Sequence, residues 1–468
     1  MLPSPLTILA GVVVAFLVIL VVVRGPVDAD YWWHLATGRL ILESGSVPTV
    51  DPYSFAYSGP WVAHEWLGEV LIAVLVDSVG YPITAGIFGV AVSAVLLVPA
   101  VGIARDGMGV RALLPWIAIG TYTLASYATV RPQVLSWVFV AGLLVLLIKM
   151  RPDHRVRPWL VPPIMLLWAN VHGLWVIGLA MIGVYAVFTL LGRTPMRARR
   201  LATVGMLIAS GLACAFTPSG VAGLLYPLRY LRQDDWGTAF IAEWQAADFT
   251  DPRQVGIAIL LVGFLLLGRR GTPVWLVALG AAGLLAALLA VRNAPIAVIL
   301  TLPVLANGLQ ARLGEQPVLA ATRARQRRLL EIGAAAAVVA GMVIVVPSVA
   351  RGDERTVFPA AAFDALAARD PDARLLVDYD WGGYAIHRLR EGGGQVFIDG
   401  RSDMYPRQIF EDYLVLRAAE PGWEELSDRY GVEGILLPPA APLIDEARGH
   451  DWCPAHEDDR SVLLLRCS

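Results

Sequence analysis

Residues 6–23 read LTILAGVVVAFLVILVVV, and residues 24–65 read RGPVDADYWWHLATGRLILESGSVPTVDPYSFAYSGPWVAHE. The first stretch is an uninterrupted apolar run of the length that crosses about 30 Å of hydrocarbon. It lacks a basic start and a small-residue cleavage site, so it reads as a retained span and not a removed signal peptide. The second stretch is too polar to cross and too regularly patterned to be a linker. A span followed by a long structured loop is the signature from which the rest of the chain can be parsed.

The remaining 400-odd residues keep the apolar character: 57% of all 468 residues are hydrophobic and only 16% charged, with a mean hydropathy of +0.61. A soluble globule of this length does not carry that balance. The net charge of -2 gives no basis for a nucleic-acid partner. Lys149 is the only lysine among the cations, a bias of the kind found in high-GC bacterial genomes. Further apolar runs lie at 83–104, 112–128, 133–149, 158–171, 174–192, 201–216, 254–268, 272–290, 294–309 and 331–350. Several are short and predict tilted helices.

The connections between these runs sort by charge. Arg105 and Arg111, the stretch from Lys149 to Arg157, the group Arg193 to Arg200, Arg269 with Arg270, and Arg312 through Arg328 form basic clusters, which the positive-inside rule places in the cytoplasm. The turns at Arg131, at Asn170 to Gly173, at 217–253 and at Arg292 then fall on the opposite side, together with the first loop and everything after Ala350. The parity closes with eleven transmembrane helices, N-terminus inside and C-terminus outside, provided that residues 65–80 do not cross. That segment carries Glu69 and Asp77 and ends at Gly80 and Pro82, and is expected to lie as an interfacial or half-inserted helix. The expected organisation is a polytopic α-helical membrane domain over 1–350, including the first outer loop at 24–82, and a soluble extracytoplasmic α/β domain over 351–468.

Within the first loop, Asp30 reads as the N-cap of a helix that runs through Glu43 and is ended by Gly45 and Pro48. Asp30, His34 and Gly38 recur at every fourth position and share a face, while Trp32, Leu35 and Leu42 form another face suited to the membrane interface. A partly desolvated carboxylate next to an imidazole is the residue type required of a general base. Asp28 competes for the same role, His64 with Glu65 forms a second pair, and a simple cap is the plain alternative for Asp30.

The loop motif VDADYWWHLATGRLILESGSVPTVDPYS followed by WVAHEWLGEVL resembles bacterial membrane glycosyltransferases of the GT-C superfamily, among them the family 39-like enzymes that use polyprenyl-phosphate sugars. Further fragments resembling that group are ATVRPQVLSW around Arg131, WANVHG around His172, TPSG at 217–220, IAEW around Glu243, and WGGY with VFIDGRSDMY near the C-terminus. The resemblance implies a catalytic acidic residue near the end of the first span, and Asp30 with Asp28 matches that position. It also implies membrane lipids and a polyprenyl-phosphate-linked sugar as partners, an acceptor of unknown identity, and residence in the bacterial inner membrane. One departure stands out: the second outer loop reads Val130, Arg131, Pro132, Gln133 with no carboxylate. A divalent cation wants several oxygen ligands, so the expected reaction is metal-independent and no cofactor is assigned, with a divalent cation left open.

Arg131 and Arg292 stand singly at outer membrane boundaries, where a guanidinium fork suits the phosphate of a lipid-linked sugar. The alternatives are snorkelling or an ion pair with Asp30, Glu243 or Asp248. His172 with Asn170 is suited to donate to a sugar or phosphate, or simply to shape a helix hairpin. Arg229 and Arg232 read as solvated. The seven histidines show no ligand spacing such as HExxH, and no zinc site is assigned.

After Ala350 the pattern alternates short strands (374–378, 395–398, 433–437, 461–466) with helices (near 359–368, 382–389, 407–417, 422–430, 441–448), which predicts a small α/β layer. Asp399 and Arg401 lie at a strand end, placed either to contact the membrane domain near the acceptor or to anchor a loop through each other. Cys453 and Cys467 are either a disulfide of an external domain or two unrelated thiols. The function expected from all of this is inverting sugar transfer from a polyprenyl-phosphate carrier to an outer-face acceptor, with Asp30 as base. The alternative is a non-catalytic lipid-binding or lipid-moving protein of the same fold.

Overall fold

The computed structural model describes residues 5–150, 157–192, 197–227, 241–268, 271–314 and 353–467. The expected span at 331–350 and the arginines Arg229 and Arg232 lie outside the described residues, as do Arg151, Arg155, Arg193, Arg269, Arg270 and Arg323 through Arg328 of the basic clusters assigned to the cytoplasm. The described chain divides into two compact units. One contains 5–24, 82–220 and 241–314; the other contains 25–81, 221–227 and 353–467. The first loop therefore belongs to the same unit as the C-terminal residues.

In the first unit every apolar run from 6–23 to 294–309 is a helix: Pro5–Arg24, the second half of Trp66–Ala104, Val110–Ala125, Pro132–Lys149, Val161–Val171, Trp175–Leu191, Arg197–Ala213, Val255–Leu267, Val274–Leu289 and Ala294–Leu313. Among the described residues, four helical stretches are long and apolar enough to cross a membrane: Leu6–Arg24, Trp66–Ala104, Pro132–Lys149 and Val291–Leu313. The last is the axis of the unit, with an unbroken buried run from Ala294 to Ala306. Close approach to it replaces the hydrophobic drive that lipid does not supply. A Cβ on Gly308 would fall 2.4 Å from the Leu267 carbonyl oxygen. Arg24 closes the end of Val110–Ala125, its guanidinium donating to the Ala128 carbonyl at 2.8 Å and the Ala125 carbonyl at 3.1 Å.

The helix that begins at Trp66 is broken at Gly80, whose φ of 78° and ψ of 163° are open only to glycine. The break falls where Gly80 and Pro82 end the segment in the sequence, and it separates the Trp66–Val79 stretch of the second unit from the span that follows.

The second unit is built on a five-stranded sheet: β1 (Arg374–Val377), β2 (Gln395–Val396), β3 (Gly434–Leu437), β4 (Trp452–Glu457) and β5 (Val462–Arg466), in the order β2-β1-β3-β5-β4. β1 pairs in parallel with β2 and β3, and β5 runs antiparallel to β3 and β4. β1 and β3 are the buried centre, which accounts for their continuous runs of aliphatic residues. β4 was not expected from the sequence. Its Pro454 and exposed residues suit only an edge strand, and the Cys453–Cys467 disulfide ties it to the residue after β5. Helices at Ala360–Ala367, Gly382–Leu389, Arg407–Arg417, Trp423–Tyr430 and Pro442–Ala447 flank the sheet where alternation placed them.

The loop helix Ala29–Ser44 packs on Gly382–Leu389. A Cβ on Gly383 would lie 2.2 Å from the Ala29 carbonyl oxygen, which gives the WGGY motif its physical reason. Trp32 and Leu35, expected at a membrane interface, are buried against protein, Trp32 meeting Tyr384 edge-on at 5.0 Å. Downstream, residues 53–55 run beside β2: the Val396 amide donates to the Tyr53 carbonyl at 2.9 Å and the Phe55 amide to the Val396 carbonyl at 3.1 Å.

Candidate functional site

The loop helix begins two residues earlier than its sequence suggests, and this separates the two aspartates. Asp28, and not Asp30, is the N-cap: its backbone is extended and its carboxylate accepts from the Asp30 amide at 3.0 Å. Asp30 falls in the first turn, where the helix dipole favours a carboxylate. Its Oδ1 accepts from the Trp33 indole at 3.2 Å and abuts Gly400, where a Cβ would lie 2.5 Å away. Burial first, then the charges of Asp30 and Asp399, push the Tyr379 hydroxyl well up. The expected cap role of Asp30 is therefore corrected, because the cap needs an extended backbone and Asp28 has it.

One helical turn on, His34 is buried and its Nδ1 faces two carboxylates, Glu65 Oε2 at 3.4 Å and Glu69 Oε1 at 3.3 Å. Glu65 and Glu69 stand four residues apart where the Trp66 helix starts, so one face carries both. The other oxygen of Glu65 meets His64 Nε2 at 3.3 Å. Burial pulls the His64 imidazole down, but the Glu65 hydrogen bond and charge, with Asp403, outweigh it and hold it above its ordinary value. Glu69 was read in the sequence only as a mark against a crossing, and its spacing from Glu65 was the signal that could have found it.

Asp399 and Arg401 are enclosed. The Arg401 guanidinium donates to Asp399 at 2.8 and 2.6 Å and to Asp51 Oδ1 at 2.7 Å, and Tyr405 donates to Asp399. The guanidinium also lies 4.9 Å from the Tyr53 ring and 4.7 Å from the Trp61 ring. Burial pushes the Asp51 carboxyl up despite this pairing. Asp51 joins the C-terminal strand end to the first loop, a role nothing in its local sequence announces.

The other expected residues belong to the first unit. Arg131 and Arg292 do not stand singly: Arg131 Nη1 meets Glu243 Oε2 at 3.5 Å and Arg292 Nη1 meets Glu243 Oε1 at 3.3 Å. Arg292 also lies over the Trp244 ring at 4.2 Å. Both guanidiniums therefore share the one Glu243 carboxylate. Asp248, the other expected partner, accepts instead from the Thr250 amide at 2.9 Å. His172 shapes its turn, Nδ1 accepting from the Leu174 amide at 3.0 Å, while the Asn170 amide donates to the Leu166 and Phe216 carbonyls at 2.8 and 3.0 Å.

The chain superposes on an archaeal oligosaccharyltransferase, AglB from Archaeoglobus fulgidus, in complex with an inhibitory peptide and a dolichol-phosphate. The TM-score is 0.58 at 12% identity, covering 91% of this chain and 69% of that one. It also superposes on the arabinofuranosyltransferase AftD from mycobacteria, with a TM-score of 0.52 at 15% identity over 98% of this chain. The fold is of the GT-C type. The chain spans 40% of the arabinofuranosyltransferase. No protein-family model matches the chain, and no curated protein sequence matches it. The described helices that are long and apolar enough to cross a membrane fit a multi-pass membrane protein.

Proposed function

We propose that this GT-C-type protein transfers a sugar from a polyprenyl-phosphate carrier to an acceptor hydroxyl on the extracytoplasmic side of a bacterial inner membrane, with inversion and with Asp30 as general base. The observation that carries the reading is the division of labour between the two aspartates. Asp28 caps the helix end, while the Asp30 carboxylate in the first turn accepts from the indole of Trp33 and lies against the backbone of Gly400.

The chemistry balances without a nucleotide. Asp30 takes the proton of the acceptor hydroxyl; its oxygen forms a bond to the anomeric carbon as the bond from that carbon to the carrier phosphate breaks on the opposite face. The leaving phosphate departs with the electron pair; Arg131 and Arg292, which share Glu243 in the first unit, are kept as proposed anion-binding residues. His34, His64 and Glu65 support the loop helix, His172 orders its turn, and Asp399 with Arg401 is assigned the anchoring of the first loop. The Cys453–Cys467 disulfide supports an oxidising compartment for the C-terminal residues.

Full-length protein in liposomes with labelled polyprenyl-phosphate sugars tests the assignment. Asp30→Asn is expected to lower turnover by about 10²–10⁴-fold, with Asp28→Asn costing far less. Unchanged turnover in Asp30→Asn removes that residue as the base.

A second reading, lipid binding or translocation without transfer, is favoured by the second outer loop, whose own residues Val130, Arg131, Pro132 and Gln133 include no carboxylate. An apolar cavity of about 460 Å³ in the first unit, lined by Val14, Val90, Leu97 and Val101 and ending at Arg105 and Lys149, suits an anionic lipid. Bound lipid with no transfer from any donor supports it.

A further inference from the structure

Among the described residues one cluster has no task in the proposed reaction beyond support: His34, Glu65 and Glu69, whose side-chain donor atoms all lie within 4.8 Å of one another. We propose that these three residues bind one divalent first-row metal ion of the zinc class. The site is distinct from Asp30 and does not depend on the transferase reading.

The geometry fits an ion better than a hydrogen-bond network. A tetrahedral ion with ligand bonds of about 2.0–2.1 Å separates its ligand atoms by roughly 3.3–3.4 Å. His34 Nδ1 stands 3.4 Å from Glu65 Oε2 and 3.3 Å from Glu69 Oε1. A single ring nitrogen carries at most one proton and cannot donate to both carboxylates, whereas an ion at the centre is attracted to all three groups.

Charge points the same way. Glu69 is 1% exposed and its Oε2 is buried with no hydrogen-bond partner. A buried carboxylate oxygen left unsatisfied is costly. The nearby cation, Arg401, already divides its donors between Asp51 and Asp399.

The scaffold is rigid. His34 projects from the Ala29–Ser44 helix and Glu65 and Glu69 from the start of the Trp66 helix, and the two cross closely because Gly38 faces the Glu69 backbone, where a Cβ would meet the carbonyl oxygen at 2.1 Å. His64 Nε2 engages Glu65 Oε1 at 3.3 Å and turns the other oxygen toward His34. Such outer contacts orient metal-binding carboxylates. Three protein ligands leave a fourth position for water or a ligand oxygen.

The test uses the full chain in detergent, stripped with EDTA and dialysed against Zn²⁺, with bound metal counted per chain and thermal unfolding followed with and without Zn²⁺. The wild type is expected to bind one equivalent and to melt higher with it. Glu69→Gln and His34→Gln are expected to weaken that equivalent by at least about 10–100-fold, the range seen when metal sites lose a supporting contact. Glu69→Gln is also expected to melt at or above the wild type in EDTA, because it neutralises a buried charge, a rise that a purely structural role would not give. If Glu69→Gln does not fold, His34→Gln alone decides. Wild type that binds no tight equivalent, or variants that bind it as well as wild type, overturns the proposal.

Discussion

Asp30 places one oxygen beside the Gly400 backbone while Asp28, two residues earlier, gives its oxygen to the Asp30 amide. The two acidic side chains looked interchangeable in the sequence because each is a good cap and each a good base. The backbone at Asp28 separated them. His387 shows the same dependence on surroundings. Burial, then Arg39, Arg388 and Arg390, push its imidazole down to about 4. The unfolded chain binds that proton near pH 6.5 and the folded chain near pH 4, so stability is complete above pH 6.5 and is lost as pH falls between the two values. The loss is expected to be on the order of 2 kcal/mol after allowing for the ring's partial exposure. His387→Gln should flatten this part of the profile in denaturant unfolding of the full chain, and an unchanged pH dependence in that variant would rule the histidine out.

At the scale of elements, the apolar helices and the C-terminal alternation of strand and helix were legible, since each rests on periodicity within a dozen residues. Gly80 and Pro82 marked a helix break that the structure contains at Gly80. β4 was not legible, because Pro454 and a mostly exposed surface give it no pattern of its own; its partner β5 and the disulfide hold it. The network of Arg401, Asp399 and Asp51 was half legible: the two C-terminal residues stand out, but Asp51 is about 350 residues away. Arg401→Met leaves both carboxylates buried without their cation and is expected to cost about 3–5 kcal/mol. Hydrogen exchange over residues 49–61 should rise with it. A cost under ~1 kcal/mol with unchanged exchange would show that the network does not hold the loop.

For the whole molecule, the three cysteines report on compartment and on stability together. Unfolded without reductant, the chain should titrate one thiol, that of Cys214, and with reductant three; three in both conditions would place the C-terminal residues in a reducing compartment. Cys453→Ser opens a loop with a sequence separation of 14 and is expected to destabilise that part of the chain by about 3 kcal/mol. Hydropathy and charge parity by themselves determined a multi-pass helical chain with a long first loop and a C-terminal α/β layer, because burial in lipid and the two- and 3.6-residue periods act locally along the chain. Only the tertiary structure decided that the first loop packs with residues 353–467, that Arg131 and Arg292 share Glu243, and that His34 faces Glu65 and Glu69. Those pairings join residues tens to hundreds of positions apart, and a carboxylate finds its partner by where the backbone closes around it, which no local pattern of residues records.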